Sequence, residues 1–180
     1  MKFWIITKKQ LMLMLCMACA IVLAVVGSVG VFANSNRLLP IYCVETEKKQ
    51  IAISFDAAWG NDDTEQLIKI LGEYNVPATF FVVGAWVDKY PESVKALSDA
   101  GHQIQNHSNT HPHMPQLSRA QMKDEIISCN EKIKLVTGVE PTLLRPPYGD
   151  YDNALIETMN ELKMYTIQWD VETLATKVIV

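Results

Sequence analysis

Three short polar strings follow one another along this 180-residue chain: Ser54-Phe55-Asp56, then His107-Ser108-Asn109-Thr110-His111, then Arg145-Pro146-Pro147-Tyr148-Gly149. They supply, in turn, a carboxylate, two imidazoles and a permanent cation on a stiff segment. Imidazoles at this spacing meet one metal ion from a helical turn or a tight loop. The bland alternative, two histidines hydrogen-bonded in a surface loop, would leave the other strings unexplained. An acid that ends an apolar strand is either a helix cap or a functional carboxylate, and Asp62 and Asp63 already serve the cap region. Buried beside Arg145, Asp56 would stay ionised and could take a proton from a metal-bound water. Tyr148-Gly149 permits a tight turn in which a backbone N–H faces a ligand oxygen. Together the strings point to metal-assisted hydrolysis. His102 and His113 carry no such motif and read as loop or surface residues, and the glycosylation sequon Asn106-His107-Ser108 reads as chance.

These residues need a scaffold that brings them together. The spacing predicts a strand over 51–55 and a helix opened by a capping box of Asp63 and Gln66, with Leu67, Ile68, Ile70 and Leu71 inward. A strand over 78–83 stops at Gly84, and Pro91 opens a helix with Val94 and Leu97 inward and Gly101 as its end. A strand over 102–106 leads into the histidine pair. Ser118 and Gln121 form a second capping box, before a helix whose inner face is Met122, Ile126, Cys129, Ile133 and Val136. A strand over 142–144, a helix over 153–162 and a strand over 164–169 follow. Such alternation specifies an α/β fold with a parallel sheet, whose strand ends would gather Asp56, the histidines and Arg145.

The N-terminus differs in kind. Leu11 to Ala33 is a run of 23 residues without a charge, preceded by Lys2, Lys8 and Lys9. It is long enough to cross a hydrocarbon core of roughly 30 Å as a helix. The basic flank places residues 1–10 in the cytoplasm and the remainder outside. Cleavage of a secretory signal near Ala33 is the rival expectation. All 20 acidic residues but only 13 of the 16 basic ones follow residue 33, leaving about seven net negative charges there. Such a surface would repel nucleic-acid phosphates. Cys43 and Cys129 would face an oxidising exterior, but no disulfide framework is expected.

In this order the strings resemble the NodB-homology polysaccharide deacetylases, most closely their membrane-anchored sporulation (PdaB-like) members, over residues 45 to 174. The resemblance implies a distorted (β/α) barrel and a divalent metal, commonly Zn2+, that polarises an N-acetyl carbonyl and activates water. It makes Asp56 the catalytic base, His107 and His111 metal ligands, and Arg145 the residue that orients the base. Tyr148 would help hold the oxyanion through its backbone N–H. The implied substrate is N-acetylglucosamine in peptidoglycan or a related cell-wall or spore glycan.

The pattern departs from the family at two points. Ala57 stands where the family places a second Asp, its third metal ligand, so the zinc site would be weakened. Further on, Trp169 and Glu172 are present, but Ala175 and Thr176 replace an acid–Trp pair that precedes a later catalytic His. The expectation is a cytoplasmic segment at 1–10, an anchor or signal at 11–33, a connector at 34–44 and a C-terminally truncated deacetylase domain at 45–180. Activity would be low or absent. The rival expectation is an anchored, catalytically inactive glycan-binding or structural homologue.

Overall fold

The computed structural model describes residues 7–33 and 37–172, with the side chains from 22 to 33 excepted. Two compact units divide near Arg37. The first holds helix α1, Lys8–Ala33. Its described apolar side chains, Leu11, Leu13, Leu15 and Ile21 among them, are exposed. Among the described residues no helix is long and apolar enough to cross a membrane. The second half of the uncharged run from Leu11 to Ala33 has side chains outside the described residues.

In the second unit, strands β1 (Ile53–Ala57), β2 (Ala78–Val82), β3 (Gln103–Asn106), β4 (Leu143–Leu144) and β5 (Tyr165–Thr166) form one sheet in sequential order. All neighbours are parallel. Helices α2 (Thr64–Glu73), α3 (Gly84–Lys89), α4 (Pro91–Asp99), α5 (Arg119–Thr137) and α6 (Asn153–Glu161) lie in the connections. Sequential parallel strands joined through helices are the pattern expected of a (β/α) fold. Ile41 adds a parallel bridge to Ile167 beyond β5.

Two cores fill the layer between sheet and helices. One joins Phe80, Val82, Trp86, Val94, Leu97, Cys129 and Ile133. The other joins Met114, Met122, Ile126, Leu144, Leu155 and Met159. Helix α5 feeds both, which its apolar stripe foretold. Strand β2 is buried on both faces apart from a half-buried Thr79, as a parallel strand flanked on each side must be. Truncating the fully enclosed Leu97 to alanine would cost about 2–5 kcal/mol.

Three local expectations change. Ser118 forms its capping box, but Asp63 does not. Asp63 already has helical backbone angles, so its carboxylate makes no cap hydrogen bond. Gly84 does not merely stop β2; it begins α3. His102 is buried rather than at the surface, packs on Phe80 at 5.4 Å, and accepts from Ala78 N–H at 3.3 Å through Nδ1. Cys43 is exposed and Cys129 is buried, both as free thiols.

Candidate active site at the strand ends

The alternation of β1 puts Ser54 and Asp56 on one face and Phe55 and Ala57 on the other. Phe81 is Asp56's partner in register on β2 and shares its face. The Arg145 guanidinium lies 4.1 Å over the Phe81 ring, donates from Nη1 to Asp56 Oδ1 at 2.8 Å and from Nη2 to Ser54 Oγ at 2.7 Å. Charge-assisted bonds from a planar fork fix the carboxylate in one orientation. Arg145 is buried, and Asp56 keeps 34% of its side chain exposed, less enclosed than the sequence suggested. The second carboxylate oxygen, Oδ2, lies 3.9 Å from His107 Nε2.

His107 extends β3: its N–H donates to Val82 O at 3.0 Å, and its Nδ1 lies 2.7 Å from Arg145 O. A carbonyl only accepts, so Nδ1 carries the proton and Nε2 keeps a free lone pair. The His111 ring is 5.0 Å from it. Between them the loop is strained, because Ser108 (φ 66°) and His111 (φ 63°) both take left-handed backbone angles. Each such residue costs of order 1–3 kcal/mol and persists only where its surroundings dictate it.

Those surroundings are explicit. Asn106, with no exposed surface, accepts from Ser108 N–H at 2.7 Å through Oδ1 and donates to Ile126 O and Asn130 Oδ1 on α5. Ser108 Oγ accepts from His111 N–H at 3.0 Å. The Glu125 carboxylate, also on α5, accepts from Asn109 N–H at 2.9 Å, Thr110 N–H at 2.8 Å and Thr110 Oγ1 at 2.7 Å. From the other side, the first N–H groups of α3 donate to Ser108 O and Asn109 O, each at 2.9 Å. A Cβ at Gly84 would stand 2.3 Å from Asn109 Oδ1, so only glycine lets the loop approach. Sequence reasoning missed Asn106, Glu125, Gly84 and the role of Ser54; the three polar residues between the histidines were its only local sign.

Tyr148 lies in a 3-10 turn with φ 60° and ψ 7°, the third strained residue of the site. Its ring packs against His111 at 4.6 Å and is stacked on His113 at 4.2 Å. His113, in turn, pairs with Asp150 at 3.1 Å. A Cβ on the next residue, Gly149, would come within 2.8 Å of the Trp169 ring, so the turn fits closely against the chain after β5.

Do these residues fit a divalent metal? Burial, opposed in part by the charge of Asp56, lowers the pKa of both His107 and His111 below the ordinary histidine value. Both rings are therefore neutral at neutral pH, the form that metal binding requires. His107 has the ring orientation and proton position usual for a ligand, and His111 Nδ1 is buried with no hydrogen-bond partner. The imidazoles fit. The third place is not filled: among the described residues no three His, Cys, Asp or Glu side chains converge. Catalytic zinc sites normally take three protein ligands. Ala57 instead turns its methyl toward the first core, at the edge of a cavity of 170 Å3 that Asp56 and Trp59 also line.

Residues 44–167 match the family described as Polysaccharide deacetylase. The chain is 35% identical over 131 residues to the peptidoglycan-N-acetylmuramic acid deacetylase PdaA of Bacillus subtilis, covering 72% of this chain and 50% of that protein. It is 31% identical over 130 residues to a peptidoglycan-N-acetylglucosamine deacetylase of Bacillus cereus, covering 72% of this chain and 47% of the relative. Among solved structures it resembles BA3943 of Bacillus anthracis, described as a CE4 family pseudoenzyme. There the TM-score is 0.70 and the identity 32%, with 73% of this chain and 47% of that one covered. A mutant of BA3943 is described as having restored enzymatic activity. The chain spans about half the length of the relatives it matches.

Proposed function

We propose, for a chain that belongs to the polysaccharide deacetylase family, the removal of acetyl groups from N-acetylglucosamine residues of peptidoglycan or a related cell-wall or spore glycan. One observation carries the reading: Asp56 is locked by Arg145 through Oδ1 at 2.8 Å while its Oδ2 faces His107 at 3.9 Å. With Oδ1 occupied, Oδ2 is the oxygen that would accept a proton from the attacking water. Arg145 holds that oxygen in place and, through its carbonyl, aims His107 Nε2 into the same space. The Tyr148 backbone, fixed by the Pro146-Pro147 turn, would offer its N–H to the developing oxyanion. His107 and His111 would hold a divalent ion, Zn2+ by preference, whose chemistry when bound is to polarise the acetyl carbonyl and acidify water.

A second reading is favoured by Ala57 and by the incomplete ligand set. In it the domain binds the glycan and does not cut it. Metal content and acetate release from a chitin oligomer decide between them. About one zinc ion per chain with acetate release supports hydrolysis. Glycan binding with neither supports the inactive homologue.

The domain would work outside the membrane, held by a single pass from Leu11 to Ala33 or released after cleavage near Ala33. The uncharged run and the exposed apolar side chains of α1 support lipid burial. Carbonate extraction of membranes tests the anchor; a chain released into the wash would speak for cleavage.

A further inference from the structure

Trp59 lies three residues after Asp56 and leaves 83% of its surface exposed. An indole is a large apolar body that folded chains ordinarily cover in good part. The loop that carries it is not free to turn it inward. Gly60 O accepts from Trp86 Nε1 on α3, Asn61 Nδ2 donates to Ser93 Oγ on α4 at 3.0 Å, and Asn61 O accepts from Thr64 N–H on α2 at 3.1 Å. The loop is pinned to three helices, and its tryptophan is held out. It also stands beside the site, with the indole edge-on to His111 at 5.9 Å. Tyr148, 60% exposed, lies 4.6 Å from the same imidazole.

An exposed aromatic fixed in position beside a polar centre needs a ligand that is apolar on one face and polar at its rim. A pyranose ring has this form: its axial C–H groups pack on an aromatic face while its hydroxyls stay hydrated. A protein partner is a poorer match, since a stable interface needs about 800 Å2 on each side and one indole supplies a small part of that. An anionic polymer is disfavoured by the net negative charge of the chain after residue 33.

Resting on the reading that this domain receives an N-acetylated glycan, we propose that Trp59 is a stacking platform for the sugar adjoining the one whose acetamido group lies at Asp56. Tyr148 would form the second wall. The platform selects for chain length: a single sugar occupies the centre without reaching it, whereas an oligomer covers both.

The test is titration of the full chain in detergent with N-acetylglucosamine and with its β-1,4 tetramer, read by calorimetry so that no turnover is required. For the wild type, the tetramer binds more tightly than the monomer. Trp59→Ala weakens the tetramer about tenfold, as expected for loss of an aromatic anchor, and leaves the monomer unchanged. Trp59→Phe retains most of the affinity, and both variants keep the wild-type melting temperature and zinc content. Tetramer binding by Trp59→Ala equal to wild type would overturn the platform and leave the glycan reading intact. Failure of the wild type to bind either sugar would overturn both.

Discussion

The main-chain carbonyl of Arg145 lies 2.7 Å from Nδ1 of His107, and the same residue's side chain fixes Asp56. One residue therefore orients the proposed base through its guanidinium and a proposed metal ligand through its backbone. The two tasks separate by mutation, because a side-chain change leaves the carbonyl in place. Arg145→Ala is expected to lower acetate release by about 10²-fold or more, while zinc uptake stays near that of the wild type. Arg145→Lys is not expected to rescue, since an ammonium cannot fork to Asp56 and Ser54 from its bed on Phe81. Parallel loss of zinc and activity would mean that the guanidinium shapes the histidine loop as well.

Glu125 makes three hydrogen bonds to the loop between the histidines without touching either ring. Glu125→Ala is predicted to weaken metal binding about 10- to 100-fold, as loss of an orienting partner does. It should also cost about 1–3 kcal/mol of stability, because the Asn109 and Thr110 N–H groups lose their partner. Competition with a metal-binding dye and urea unfolding read the two effects. Unchanged metal affinity in a folded variant would show that the loop keeps its shape unaided.

Ala57 borders a cavity of 170 Å3, so a carboxylate there has room. Ala57→Asp is expected to raise zinc retention, supplying the third donor that the family resemblance calls for. It should also lower stability, because that side chain now packs on the first core. Dialysis against a chelator followed by metal analysis gives the answer. Equal zinc loss from both proteins would show that position 57 points away from the ion.

The two site histidines set a direction for stability against pH. In the unfolded chain each takes up a proton near 6.5, whereas burial lowers that value in the native fold. Below about pH 6.5 the unfolded state therefore binds more protons, and stability falls as pH falls. The urea midpoint of the metal-free chain should drop between about pH 7.5 and about pH 5.5, and drop less for His107→Gln. An identical fall in that variant would assign the effect to other groups.

Thiol chemistry offers a simple check of the fold. Burial pushes the Cys129 thiol up to about 12, and Cys43 is exposed. At neutral pH, iodoacetamide should label Cys43 in the native protein and Cys129 only on unfolding. Native labelling of Cys129 would contradict the packing of α5 against Val82.

The strand–helix alternation was legible because each element carries its own periodicity, and of the expected α5 stripe Met122, Ile126, Cys129 and Ile133 are buried while Val136 is half-buried. Asp56, His107, His111 and Arg145 were legible as motif residues, and the structure brings them together. Their supports were not. Ser54 meets Arg145 across 91 positions and Glu125 meets Asn109 across 16, distances at which no local pattern survives. The failed cap at Asp63 has another cause: residue type matched, but the backbone was already helical. Helix α3 escaped notice because it is only six residues long and its first N–H groups are satisfied by the histidine loop.

Asn106 ties that loop to Ile126 and Asn130, so the left-handed turn at Ser108 exists only once α5 has docked. Any ion held by both imidazoles would then bind the folded state alone, and mass action makes it a folding ligand. Heating the chain across a zinc series would convert the rise in melting temperature into a dissociation constant, with no substrate added and no turnover needed. Asn106→Ala should flatten that rise even where the domain still melts cooperatively.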